Sequence, residues 1–170
     1  MGNSIKYKLF SVMLLTILFL TYDLCQAGNE NWIGKRAPDF KLQTVFGNKS
    51  FSLKSEKGKI VIIDFWASWC APCKKSLPKL EQLQSEYNID LKIFAINIDD
   101  DVTNAQIFLK QNRINLTALY DKNKSIVEIF DIEAMPTAFI IDRDGIIRFI
   151  HVGYTENSIS DFIKEVKKLL

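Results

Sequence analysis

One histidine, three cysteines, four prolines and seven glycines in 170 residues exclude a good deal. The lone His151 cannot build a histidine-based metal centre and argues against a Ser-His-Asp triad. Three cysteines are too few for a disulfide-stapled miniprotein, and a chain this long buries a core without staples. So little Gly and Pro does not describe a fibrous or disordered chain. Neither sign of charge dominates. Against 22 Lys+Arg stand 20 Asp+Glu, a net charge of +2, so nothing points to nucleic acid, which demands a clustered basic surface. What remains is 48% hydrophobic and 25% charged residues, the composition of one globular domain.

Residues 1–27 read as an export signal. Lys6 and Lys8 give a positive start, Leu9–Tyr22 carries no charge, and Cys25-Gln26-Ala27 offers small residues for cleavage after Ala27. The apolar run is shorter than the ~20 residues a spanning helix needs. An uncleaved anchor, with the run stretched to Leu24, and a lipoprotein on Cys25 are the rival readings. Cleavage would leave residues 28–170 as a domain with Cys70 and Cys73 as its only cysteines. Structural disulfides mostly close longer loops, so a pair this close is suited to making and breaking a bond.

Gly47-Asn48 lies between alternating segments and predicts a hairpin. The run Ile60–Trp66 is nearly continuous apolar and β-branched, which predicts a strand buried on both faces. Leu77, Leu80, Leu83, Gln84 and Tyr87 keep helical spacing after the cysteines. Pro72 falls near the first turn, and Pro78 falls inside, where it should kink the helix. A second strand is expected at Leu91–Ile98. An acidic turn, Asp99–Asp101, follows, and Asp101 caps a helix from about Val102 to Gln111. A short strand near Leu116–Tyr120 and a short helix near Ser125–Phe130 come next. Thr137–Ile141 and Ile146–Val152 read as a hairpin turning at Asp142–Gly145, and the last residues carry a helical apolar stripe from Ile159 to Leu170. Together these predict an α/β fold with a mixed central sheet covered on both faces.

Cys70 and Cys73 sit where the buried strand ends and the helix begins. A helix N-terminus has unpaired N–H groups and a partial positive charge, both of which stabilise a thiolate. Cys70, ahead of the first turn, is the nucleophile open to a partner. Cys73, one turn in and on the buried side, resolves the mixed disulfide. A structural zinc half-site and an inert buried pair are the alternatives. A tetrahedral zinc needs four ligands, which two cysteines and distant His151 do not supply.

The stretch Ile62-Ile63-Asp64-Phe65-Trp66-Ala67-Ser68-Trp69-Cys70-Ala71-Pro72-Cys73 resembles the active-site segment of the thioredoxin superfamily. Met135-Pro136-Thr137 is similar to that family's cis-proline loop, and Pro78 to its helix kink. Gly34–Leu42 and the insertion around Val102–Gln111 are similar to the exported TlpA/ResA-like branch. The resemblance implies a thioredoxin-like fold with an N-terminal hairpin extension and an inserted helix. It implies a thiol:disulfide oxidoreductase outside the cytoplasm, needing no cofactor or metal. A membrane thiol-disulfide transporter would keep it reduced, and disulfides of exported proteins would be its substrates, often in cytochrome c maturation or copper-site assembly. It also makes Asp64 the proton acceptor behind Cys73, places Pro136 in cis beside the thiols, and frees the Met135 backbone for an extended substrate segment. The family's lysine near that Asp is absent here, where Ala95 aligns, so burial should govern Asp64. Cytochrome-maturation relatives commonly carry Asn at the position of Asp64 and an acid at that of Ser76, and this chain departs at both.

Trp66 and Trp69 are read as packing and cover for the site, with Trp69 beside the substrate. Lys74 and Lys75 are read as solvated, His151 as a strand residue, and Gly153 as allowing a close approach. Oxidation or isomerisation is the alternative within the same chemistry. The Gly34–Leu42 opening is also similar to that of peroxiredoxins, but their pattern asks for Thr or Ser and for Pro where Ala67 and Ile63 stand. Copper-binding assembly relatives use three residues between the cysteines, where this chain has two.

Overall fold

The computed structural model describes residues 32–47 and 49–170, so the export-signal reading of residues 1–27 lies outside them. The chain order is β1 (Lys41–Thr44), β2 (Ser50–Ser52), a 3-10 turn (Leu53–Glu56), β3 (Ile60–Trp66), α1 (Ala71–Glu86), β4 (Leu91–Asn97), α2 (Val102–Asn112), β5 (Thr117–Tyr120), α3 (Ser125–Ile129), β6 (Thr137–Ile141), β7 (Ile147–Val152) and α4 (Ser158–Leu169). The strands form one mixed sheet in the order β2-β1-β5-β4-β3-β6-β7. Strands β3, β4 and β5 are parallel; β6 joins β3 antiparallel and β7 joins β6 antiparallel. The hairpin β1–β2 adds an antiparallel edge at β5, with Gly47 at φ 70° in its turn.

Every residue of β3 is buried, because the strand has neighbours on both edges and cover on both faces. Ile60, Ile62 and Trp66 face Leu77, Leu80 and Leu83 of α1, Phe108 of α2, and Phe162 and Val166 of α4. Val61, Ile63 and Phe65 face the other way, into a core with Phe40, Phe94, Phe130 and Phe139. Each such side chain contributes ~1.5–3 kcal/mol by leaving water. The second face has little helix over it. The N-terminal segment covers it instead, held by Gly34 N–H to Ile147 O (2.8 Å), Ile147 N–H to Lys35 O (2.9 Å) and Ala37 N–H to Gly145 O (2.9 Å).

The inserted helix α2 starts where the acidic turn predicts. Asp101 caps it by accepting the Thr103 N–H at 2.8 Å, and Arg113 closes it in the left-handed conformation at φ 55°. Pro78 lies inside α1 on its exposed side. Among the described residues no helix is long and apolar enough to cross a membrane.

Candidate active site

The chain leaves β3 at Trp66, makes a short turn, and enters α1 at Ala71 with Cys70 as the cap residue. Cys70 Sγ accepts the Cys73 N–H at 3.2 Å, so an amide of the helix's first turn points at this sulfur. Pro72 occupies an early helical position where no N–H is needed. Cys70 and Cys73 are joined by a disulfide, with Cα atoms 5.3 Å apart. Cys73 is fully buried. Cys70 is 5% exposed, less open than its place ahead of the helix leads one to expect.

What surface Cys70 has borders a cleft of about 350 Å³, walled by Trp69, Pro72, Ile98, Ile132, Ala134 and Met135. Glu133 is the one acid or base on that lining. The two tryptophans part company here. Trp66 is buried against Phe108, ring centroids 5.1 Å apart, whereas Trp69 is 69% exposed on the rim rather than packed over the site. A second recess, about 280 Å³ between Arg36, Lys57, Val61 and Arg143, lies at the opposite end of β3 and holds no cysteine.

Pro136 is buried, and its bond to Met135 is cis. The turn is pinned by Thr137 Oγ1 donating to Ala134 O at 2.7 Å and Gly153 N–H donating to Pro136 O at 2.7 Å. The expected reason for Gly153 needs correction. A Cβ there would meet nothing within 4 Å; glycine fits because the backbone sits at φ 80°.

Asp64 is 1% exposed in the middle of β3, and its Oδ2 has no hydrogen-bond partner. Strand alternation aims it to the same face as Ile62 and Trp66, the face covered by α1 with Cys73. Its register neighbours are Ala95 on β4 and Ala138 on β6, small residues that bring no cation. Burial alone holds its carboxyl well above the usual carboxylate range. Lys74 and Lys75 are exposed on α1. His151 ties β7 to α4 through Ser158 Oγ at 2.8 Å and packs against Phe162; burial lowers its pKa.

A polar knot beside the cysteines escaped the sequence reading. Asp99, read only as part of an acidic turn, is 1% exposed, and its neighbour Asn97 is fully buried. Asp99 accepts from Ser68, two residues before Cys70, and from Asn97. The only hint available in sequence was that polar Asn97 and Asp99 alternate with apolar Ile96 and Ile98 at a strand end.

The arrangement can carry out dithiol–disulfide exchange, with one sulfur at a cleft and one behind it. Comparisons with known proteins agree. The AhpC/TSA family model matches residues 33–150. The thioredoxin-like protein YneN of Bacillus subtilis is 39% identical over 143 residues, covering 80% of this chain and 79% of the relative. Thiol-disulfide oxidoreductase ResA of Bacillus cereus is 32% identical over 166 residues, 93% of this chain and 95% of the relative. A Chlorobium tepidum structure, provisionally assigned as the thiol:disulfide interchange protein DsbE, superposes with a TM-score of 0.76 at 32% identity, covering 81% of this chain and 96% of that one. The chain belongs to the AhpC/TSA family and, within it, to the thiol-disulfide oxidoreductases.

Proposed function

We propose that the protein works outside the cytoplasm and reduces disulfides in exported proteins. The Cys70 thiolate attacks one sulfur of a substrate disulfide, forming a mixed disulfide and expelling the other substrate sulfur as thiolate. Cys73 then loses its proton to Asp64 and attacks Cys70 Sγ. The second substrate sulfur leaves, and the Cys70–Cys73 disulfide remains. Two electrons pass from the dithiol to the substrate. The observation that carries this reading is the asymmetry of the pair: Cys70 lines the cleft and Cys73 is sealed behind it.

Trp69 and Met135 line the cleft, and Pro136 follows Met135 through the cis bond; all three are assigned to hold the substrate, with the Met135 backbone pairing to an extended segment. Pro72 ahead of the second cysteine resembles the reducing members of the superfamily rather than the strong oxidants. Residues 1–27 serve as the export signal or anchor, and a membrane thiol-disulfide transporter returns the electrons. Cytochrome c maturation is one substrate class within this reading; Asp64 and Ser76 make it a less close fit.

The test is the redox state of the pair in living cells, trapped with acid and then alkylated. A mostly dithiol population supports the reductase; a mostly disulfide population overturns the direction in favour of an oxidant. A reduction potential near thioredoxin's, about −270 mV, agrees with the former, and one near about −120 mV with the latter.

A further inference from the structure

Asp99 is a buried carboxylate for which the exchange chemistry has no use. It stands just past the end of β4, yet its hydrogen bonds run to the turn that carries Cys70. The Ser68 N–H lies 3.1 Å from both carboxylate oxygens, and the Ser68 hydroxyl donates to Oδ1 at 3.0 Å. Asn97 Nδ2 donates to Oδ2 at 2.9 Å, and the Asp99 N–H donates back to Asn97 Oδ1 at 3.1 Å. A buried charge is costly unless its donors are in place, and removing it leaves those donors unpaired.

The knot joins two walls of the site. On one side, Cys70 N–H donates to Ala67 O at 3.1 Å, so the turn Ala67–Cys70 has a fixed shape. On the other, Ile98 N–H donates to Trp66 O at 3.1 Å, and Ile98 lines the cleft together with Trp69. Asp99 is the side chain that bonds the middle of that turn to this strand end.

We propose that Asp99 is a positioning residue for the redox centre: through Ser68 it fixes the turn that presents Cys70 to an incoming disulfide. The proposal rests on Cys70 being the attacking sulfur. Attack on a disulfide has a preferred direction, and a displacement near 1 Å costs up to about a hundredfold in rate. Alkylation by a small reagent such as iodoacetamide is far less sensitive to that direction.

The two reactions separate positioning from mere folding. Reduced full-length protein is mixed with a cystine-bridged peptide in single turnover, and Cys70 labelling by iodoacetamide is timed in parallel, with the labelled cysteine located by peptide mass. With misplacement as the cause, D99A is expected to slow exchange about tenfold and S68A about threefold, while D99N, which keeps an acceptor for Ser68, stays within about threefold of wild type. Labelling of Cys70 is expected to change less than about twofold in each, whereas a partly unfolded chain would label faster. Folded D99A exchanging at the wild-type rate overturns the proposal, as does D99N falling as far as D99A. If D99A does not fold, S68A at the wild-type exchange rate overturns it. First labelling on Cys73 in the wild type is a separate result, which overturns the assignment of Cys70 itself.

Discussion

The amide of Cys73 points at the sulfur of Cys70, 3.2 Å away. Once the disulfide opens, that amide and the helix N-terminus behind it favour Cys70 as a thiolate. Cys73, fully buried, has no comparable access to substrate. The two cysteines therefore differ in what their loss does. Cys70→Ser is expected to abolish reduction of insulin or glutathione disulfide. Cys73→Ser is expected to accumulate mixed disulfides, visible as a mass increase removed by dithiothreitol. Either variant turning over like wild type refutes the division of labour.

Asp64 is expected to matter in the second half of the reaction. Replacing it with Asn keeps the shape and removes the base, so release of the mixed disulfide should slow at least tenfold near pH 7, given the ~10²–10⁴ that positioned bases contribute. The first attack by Cys70 should change little. Stopped-flow measurement of both phases from pH 6 to 9 decides it; a second phase identical to wild type at every pH removes Asp64 from the mechanism.

The same carboxyl makes a stability prediction of definite sign. Its pKa in the fold is raised by burial above the ~3.9 of an unfolded Asp. The folded chain thus holds a proton that the unfolded chain has released. Stability from this group is full below about pH 3.9 and is lost as pH climbs through the raised value. Asp64→Asn has no proton to lose. Urea melts of wild type and variant, both in the disulfide form, should show the variant gaining relative stability as pH rises from 4 towards 9. A constant difference across that range contradicts it.

Trp69 tests the cleft without touching the core. It is mostly exposed, so Trp69→Ala should leave folding stability within about 0.5 kcal/mol of wild type. Loss of an aromatic anchor at an interface costs roughly 1–2 kcal/mol of binding, so kcat/KM for a protein disulfide should fall about tenfold. Unchanged kinetics would place substrate elsewhere.

Gly153→Ala is the opposite case, a change of backbone rather than surface. No atom blocks the added methyl, but φ 80° disfavours any L side chain. A loss of roughly 1–2 kcal/mol in chemical denaturation is expected, and a variant as stable as wild type would mean the loop relaxes freely.

Much of the scaffold was readable because the signal was periodic or continuous. Ile60–Trp66 is all apolar save Asp64, and it became an interior strand, paired on both edges, with the predicted ends. Asp101 announced α2 by capping chemistry alone. Cys70 and Cys73 were readable because two sulfurs between a buried strand and a helix have few other uses. Asp99, Asp100 and Asp101 were not separable. In the fold one accepts Ser68 from 31 positions away, one pairs with Lys124 from an exposed position, and one caps a helix. Sequence displays the charge but not the distant donor that makes its burial tolerable. Trp69 was legible only in part: read as packing and cover beside the substrate, it is not packed but stands exposed on the cleft rim.

The strand ahead of the redox turn has a hydrogen-bonded neighbour on each edge, with register running from Ile60 to Trp66 on one side and from Val61 to Phe65 on the other. Segments with such double anchorage open only when the whole domain does. Deuterium should therefore enter the amides of Ile62, Ile63 and Asp64 at the rate of global unfolding, in both redox forms, so that cycles of oxidation disturb little of the molecule beyond the first turn of one helix.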